Sequence, residues 1–201
     1  MTIYKRKSSR RAILLALFIP LWSNGYADDI TDSINEALQK YQKGDLTEAV
    51  ESLNFASQAI QQKKGESLSS FLPQPLKGWD AKSGDSHAAG QAIFGGGVVS
   101  ERQYNKAESN VTVQIVADSP MIQGVVMMLS NPMFATSDGG KLEKIKDQKA
   151  IVKFDTSNNR GEVKVVVNNR FLVSIEGRGI KEKELKAYAE AIDYAKMAKL
   201  P

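Results

Sequence analysis

The 201-residue chain contains no cysteine. That absence excludes a disulfide, a thiolate metal site, a cysteine nucleophile and a lipidated cysteine, and leaves apolar burial to hold the fold. Histidine is nearly as scarce, His87 being the single one. A Ser–His–Asp relay would have to use it, but its segment SGDSHAAG has no G-x-S-x-G elbow, and zinc would find one nitrogen ligand and no sulfur. A surface-loop histidine is the expected role. A bilayer-spanning run is lacking too, since the apolar stretch Ala12 to Leu21 falls short of the roughly 20 residues a membrane helix needs.

That stretch has a different setting. Lys5, Arg6, Lys7, Arg10 and Arg11 precede it and SNGYA comes after it, the layout of an export signal. Gly25 and Ala27 put small residues three and one positions before a cut between Ala27 and Asp28. Residues 1–27 are therefore expected to be a signal peptide, and the product to be periplasmic or secreted. SRRAILL, Ser9 to Leu15, resembles a twin-arginine signal, with Ile13 and Leu15 departing from that pattern, so both export routes stay open. The leader also explains the net charge of +4, from 27 basic and 23 acidic side chains. Taking away its five cations leaves 22 basic against 23 acidic, a net charge near −1. Nucleic acid is not an expected partner of such a chain, and no transmembrane segment is expected in the mature product.

From Ile30 to about Lys43, the residues Ile30, Ile34, Ala37, Leu38 and Tyr41 fall on one face of a helix, which Gly44 ends. Asp45, with Glu48 three residues later, reads as a capping box for a second helix striped by Leu46, Ala49, Val50, Leu53, Ala56 and Ile60. A hairpin over 28–64 is expected. The segment YQKGDLTEAVESLNFA resembles the middle of a tetratricopeptide repeat, with Gly44 and Asp45 at the turn and Ala49 and Ala56 at small packing positions. The chain holds no second copy of it. Repeats of this kind bury their apolar faces by stacking, so the resemblance implies a hairpin docked on the rest of the chain or on a second subunit.

Gln61 to Ser70 is polar, and Pro73 and Pro75 rule out a helix just beyond it, so 65–78 is expected to link the hairpin to a sheet domain over 79–201. Val111, Val113 and Ile115 alternate with Thr112 and Gln114 as in a half-buried strand, and a preceding strand is expected at Val98 to Tyr104. A short, very apolar helix is expected at Pro120 to Leu129. Strands are then expected at Ala150 to Phe154, Glu162 to Val167 and Phe171 to Glu176, the last two joined by a hairpin at Asn168 and Asn169, since asparagine tolerates positive φ. A single closing helix is expected over Lys181 to Ala198, with Leu185, Tyr188, Ala189, Ile192 and Ala195 packed on the sheet. Together these predict an α+β fold, an antiparallel β-sheet packed by helices and preceded by an α-helical hairpin.

Over roughly residues 72–200, Pro75, Gly78 and Trp79 at the start, a paired-strand block ending in RFLVSIEG and the closing helix resemble the PsbP family and the bacterial DcrB-like lipoproteins. The chain departs from the latter in lacking their lipidated cysteine. No catalytic motif comes with this resemblance, which implies an accessory or binding role.

Chemistry-bearing clusters are few. Glu101, Glu108, Asp118, Glu143, Asp155 and Glu176 lie at strand ends or exposed alternations, where solvated surface is the simpler reading than paired acid–base carboxylates. Gly95, Gly96 and Gly97 are a candidate anion-binding loop, set against a simple turn or bulge, because the Lys-Ser/Thr of a P-loop is missing. The uncharged segment SPMIQGVVMMLSNPMFA, Ser119 to Ala135, holds four of the six methionines. Core filling, a Cu(I) thioether site and an exposed apolar groove for a peptide or lipid are its three readings. The groove would use Met121, Val125, Met127, Met128, Met133 and Phe134. No cofactor is expected. The expected function is a non-catalytic exported binding or accessory protein with a protein partner or apolar ligand; the alternatives are a periplasmic enzyme of unrecognised type and a Cu(I) metallochaperone.

Overall fold

Period-two alternation in the second half of the chain produces strands, and period-3.6 stripes at its start produce helices. The computed structural model describes residues 29–82, 85–87, 97–131, 133, 136 and 139–200. Helices α1 (Asp29–Lys43) and α2 (Leu46–Ser69) come first, then β1 (Asp80–Ala81), β2 (Asp85–His87), β3 (Val98–Lys106) and β4 (Ser109–Ala117). Helix α3 (Met121–Ser130) leads to β5 (Lys141–Ile145), β6 (Gln148–Asp155), β7 (Arg160–Val167) and β8 (Phe171–Arg178), and α4 (Glu182–Glu190) and α5 (Tyr194–Met197) close the chain. The strands form one antiparallel sheet in the order β1-β3-β4-β8-β7-β6-β5, with β2 also on β3. The fold is thus α+β, a helix pair followed by an antiparallel sheet with helices packed on it.

Alternation gives the sheet two different faces. One carries Val111, Val113, Ile115, Val163, Val165, Val173 and Ile175 under α4, α5 and the end of α2. The other carries a smaller cluster, Val99, Val116, Ile151 and Leu172, under Ile122, Val125 and Leu129 of α3. The turn at Asn168 and Asn169 takes φ of 50° and 53°, as expected for asparagines joining β7 to β8.

Several elements differ from expectation. Helix α2 runs to Ser69, past Lys64, because Gly65 and Leu68 turn the polar second half onto the sheet. Phe71, Leu72 and Trp79 are buried in the main core, and the Pro73 carbonyl accepts a 2.5 Å hydrogen bond from the buried Tyr104 hydroxyl. Burial pushes the Tyr104 phenol up to about 12. Asp45 stands at the N-cap of α2 without a side-chain cap bond, and Glu48 pairs with Lys40 of α1 instead. The closing helix is broken. Asp193 accepts from the Lys196 amide at 2.9 Å, and the Tyr194 hydroxyl reaches back to the Ala189 carbonyl at 2.8 Å. The break buries Tyr194 and Met197 and leaves Ala195 exposed, exchanging one small apolar contact for two large ones.

Side-chain crowding fixes two glycines. Gly161 and Gly177 are register partners on β7 and β8. A Cβ on Gly161 would lie 2.5 Å from Phe154 and 2.7 Å from Leu185, and one on Gly177 would lie 2.6 Å from Ile180. Their missing side chains leave a notch that receives Leu185 of α4, which is completely buried.

Candidate functional site

Three surfaces have functional potential, and the helix hairpin is the largest. Between its helices the buried positions are small: Ser33 and Ala37 on α1, Ala49 and Ala56 on α2. That close approach leaves most of the larger apolar side chains on one flank, with Phe55 of α2, 58% exposed, on the other. Ile34, Leu38 and Tyr41 succeed one another at spacings of four and three on α1, as do Leu46, Val50 and Leu53 on α2, with Ile60 two turns on. In two right-handed helices running antiparallel, each flank lies on the same side of the buried seam, so the seven residues form one face. Their exposure runs from 41% at Ile60 to 66% at Tyr41. Asp29, Asp32, Glu36, Lys40 and Lys43 keep spacings of three and four along the other side of α1, where Lys40 pairs with Glu48.

Helix α3 supplies the second surface. Of the residues expected to form an apolar groove, Val125 is buried against the sheet and Met128 packs half-buried beside it. Met121, Met127 and Met133 are 43%, 65% and 75% exposed. Phe134 lies outside the described residues. Core filling therefore accounts for Ile122, Val125 and Leu129 and not for the exposed methionines. Met121 and Met128, seven residues apart, share a side of α3, while Met127 points well away from both. These three thioethers do not converge as a Cu(I) site would need. Among the described residues no group of three His, Cys, Asp or Glu side chains is placed to hold a metal ion.

The third surface is the part of the sheet that α3 leaves uncovered. A concavity of about 390 Å³ there is bordered by Lys153, Asp155, Arg160, Glu162, Glu176 and Arg178. Register makes Glu162 face Glu176, and Arg160 face Arg178, on neighbouring strands. These pairings are invisible in the sequence, where fourteen or more residues separate the partners. Glu162 is held 2.5 Å from Lys164. Asp155 is occupied by its own turn, where hydrogen bonds from Ser157 and Asn158 hold its carboxyl down to about 2.

The remaining candidates have structural roles. Glu101 accepts from Gln114 at 3.1 Å, Glu143 pairs with Lys186 at 2.7 Å, and Glu108 lies in the β3–β4 turn. The backbone of His87 lies on β2 opposite Val99, in a strand and not a loop. Gly97 has φ 104°, and a Cβ there would lie 2.5 Å from the Ala117 carbonyl oxygen, so close packing on β4 accounts for this glycine. Gly95 and Gly96 lie outside the described residues.

Asp118 joins the hairpin to the sheet. At φ 56° between β4 and α3, it accepts from Lys64 of α2 at 2.6 Å and from Arg170 of the β7–β8 turn at 2.8 Å. Partial burial opposes its ionisation, but the bonds from Arg170 and Lys64 outweigh it and hold the carboxyl below its usual range. A depressed carboxyl pKa stabilises the fold above the unfolded value of about 3.9, and that contribution is lost as pH falls through the folded value. Asp118→Asn, which keeps the tolerance of positive φ, is expected to cost about 1 kcal/mol at pH 7, a figure kept small for a partly exposed pair. In urea titrations the difference from the parent should shrink as pH is lowered below the unfolded value of about 3.9; a deficit that stays the same there as at pH 7 would assign the effect to packing.

Comparison with protein-family models, with curated proteins and with solved structures finds no match to this chain. Among the described residues no helix is long and apolar enough to cross a membrane.

Proposed function

We propose that the chain is exported, loses residues 1–27, and works outside the cytoplasm as a non-catalytic binding or accessory protein whose contacts with other protein are made by the α1–α2 hairpin. The observation that carries this reading is the single apolar face formed by Ile34, Leu38, Tyr41, Leu46, Val50, Leu53 and Ile60, each at least 41% exposed. An apolar patch of that kind marks an interaction surface more often than it marks plain solvent-facing helix. The exposed methionines of α3 form a smaller second contact area, suited to adaptable apolar binding. Export is supported by the charged and apolar layout of residues 5–27. The accessory role agrees with what the PsbP-like resemblance implies, and a hairpin that docks on another subunit is one of the two outcomes the tetratricopeptide-like resemblance implies.

A photo-crosslinking residue placed in cells at Leu53, and separately at Gln39 on the other side of the hairpin, tests the reading. Discrete adducts in the periplasmic fraction from Leu53 and none from Gln39 are expected. Equal labelling at the two positions, or none at either, refutes it.

A further inference from the structure

We propose that the occupant of the hairpin face is a second copy of this chain, so that two hairpins close into an intermolecular four-helix bundle. This rests on the reading that the hairpin is a protein-contact surface, and goes further in naming the partner.

Three observations carry it. The first is area. The seven apolar side chains together expose on the order of 600 Å², at the top of the roughly 300–600 Å² that the largest patch of a soluble monomer reaches and, with the residues bordering them, close to the roughly 800 Å² each partner contributes to a stable interface. The second is charge. Along most of the face the border consists of Thr31, Asn35 and Gln42 on α1 and Thr47, Asn54 and Gln58 on α2, all exposed and uncharged; Lys63 and Lys64 lie beyond Ile60 at its far end, where Lys64 is paired with Asp118. The acidic and basic residues of α1 all lie on the opposite side, and so do Glu48 and Glu51 of α2. A two-fold axis sets a surface against itself, which is where a border rich in one sign of charge would repel. A neutral border of amides and hydroxyls instead hydrogen-bonds to its own copy. The third is architecture. Two antiparallel helices sharing one apolar face are half of a four-helix bundle, and among the described residues no second hairpin of this pattern supplies the other half. A second copy supplies that half.

The test uses the chain from Asp28 to Pro201, which holds every described element, in sedimentation equilibrium over a wide concentration range. A reversible monomer–dimer equilibrium is expected. Leu38→Glu with Leu53→Glu should shift it at least tenfold toward monomer while leaving the circular dichroism spectrum unchanged, because both side chains are already about half exposed. The absence of native cysteine allows a second readout. Leu53→Cys should be joined into dimers by a short bismaleimide, and Glu36→Cys should not. A mass that stays monomeric at the highest attainable concentration overturns the inference, as does a dimer unaffected by the double substitution. If the chain is monomeric but Leu53 still gives adducts with another protein in cells, the interaction reading stands and this one falls; if it is monomeric and Leu53 gives no adduct, both fall.

Discussion

Replacing Leu185 with alanine is expected to lower the unfolding free energy by about 2–5 kcal/mol, the range for emptying a fully buried aliphatic site. The side chain has no exposure and sits in the notch that Gly161 and Gly177 open on neighbouring strands. Filling the notch from below should also be costly. Gly161→Ala forces a methyl to within 2.5 Å of Phe154 and 2.7 Å of Leu185, and overpacking of this sort costs about 1–3 kcal/mol. The two changes act on the same space, so the double variant should lose less than the sum of the singles by about 0.5–3 kcal/mol. Gly124, in the middle of α3, is the control: nothing lies within 4 Å of a Cβ built there. Gly124→Ala should raise stability by up to about 1 kcal/mol through helix propensity alone. Urea unfolding of the four variants measures all of this, and strict additivity of the Gly161 and Leu185 changes would show that they do not share the notch.

Trp79→Ala is expected to cost about 3–5 kcal/mol. The indole is 5% exposed and meets the Tyr188 ring edge-on at 5.5 Å, and Tyr188 in turn lies 4.6 Å from Tyr104. Lys106 lies over the outer side of the indole at 5.7 Å. The three rings join the segment before β1, the sheet and α4, so truncation at one should loosen all three. Trp79→Phe should restore part of the loss, because a ring can still meet Tyr188. If Trp79→Ala changes the urea midpoint no more than a surface substitution does, the indole is not part of the core.

These packing features show how far one-dimensional pattern reaches. Both helices of the hairpin, the strands over 98–117 and 150–176 and the Asn168–Asn169 turn are legible because their signals are local: a stripe, an alternation, a pair of residues tolerant of positive φ. Strand β5 is not, because Lys141–Ile145 carries three charged side chains in five residues and owes its strand conformation to pairing with β6. The break before α5 is hidden for the opposite reason. An uninterrupted helix fits the stripe Leu185 to Ala195, and only the burial of Tyr194 and Met197 favours stopping it. The stripe on α1 and α2 is readable too, but not that half of it faces solvent, since periodicity says which residues share a side and nothing about what lies against them. Cross-strand neighbours such as Glu162 and Glu176 depend on register, which separates the two sheet faces by a single residue.

The rims of the sheet bear on the same question of how copies meet. On one side, the open hydrogen-bonding groups belong to β5, only five residues long, where Lys141 and Lys144 would have to crowd any incoming strand. On the other side, the two short pieces β1 and β2 already take up pairing positions along β3. A stranger's backbone finds few free amides to zip onto at either rim, a device that discourages growth into fibres. Crowded in solution, these molecules should therefore meet through their helices, giving assemblies of limited size, and concentrated stocks should stay clear where a bare-edged sheet of similar width would cloud.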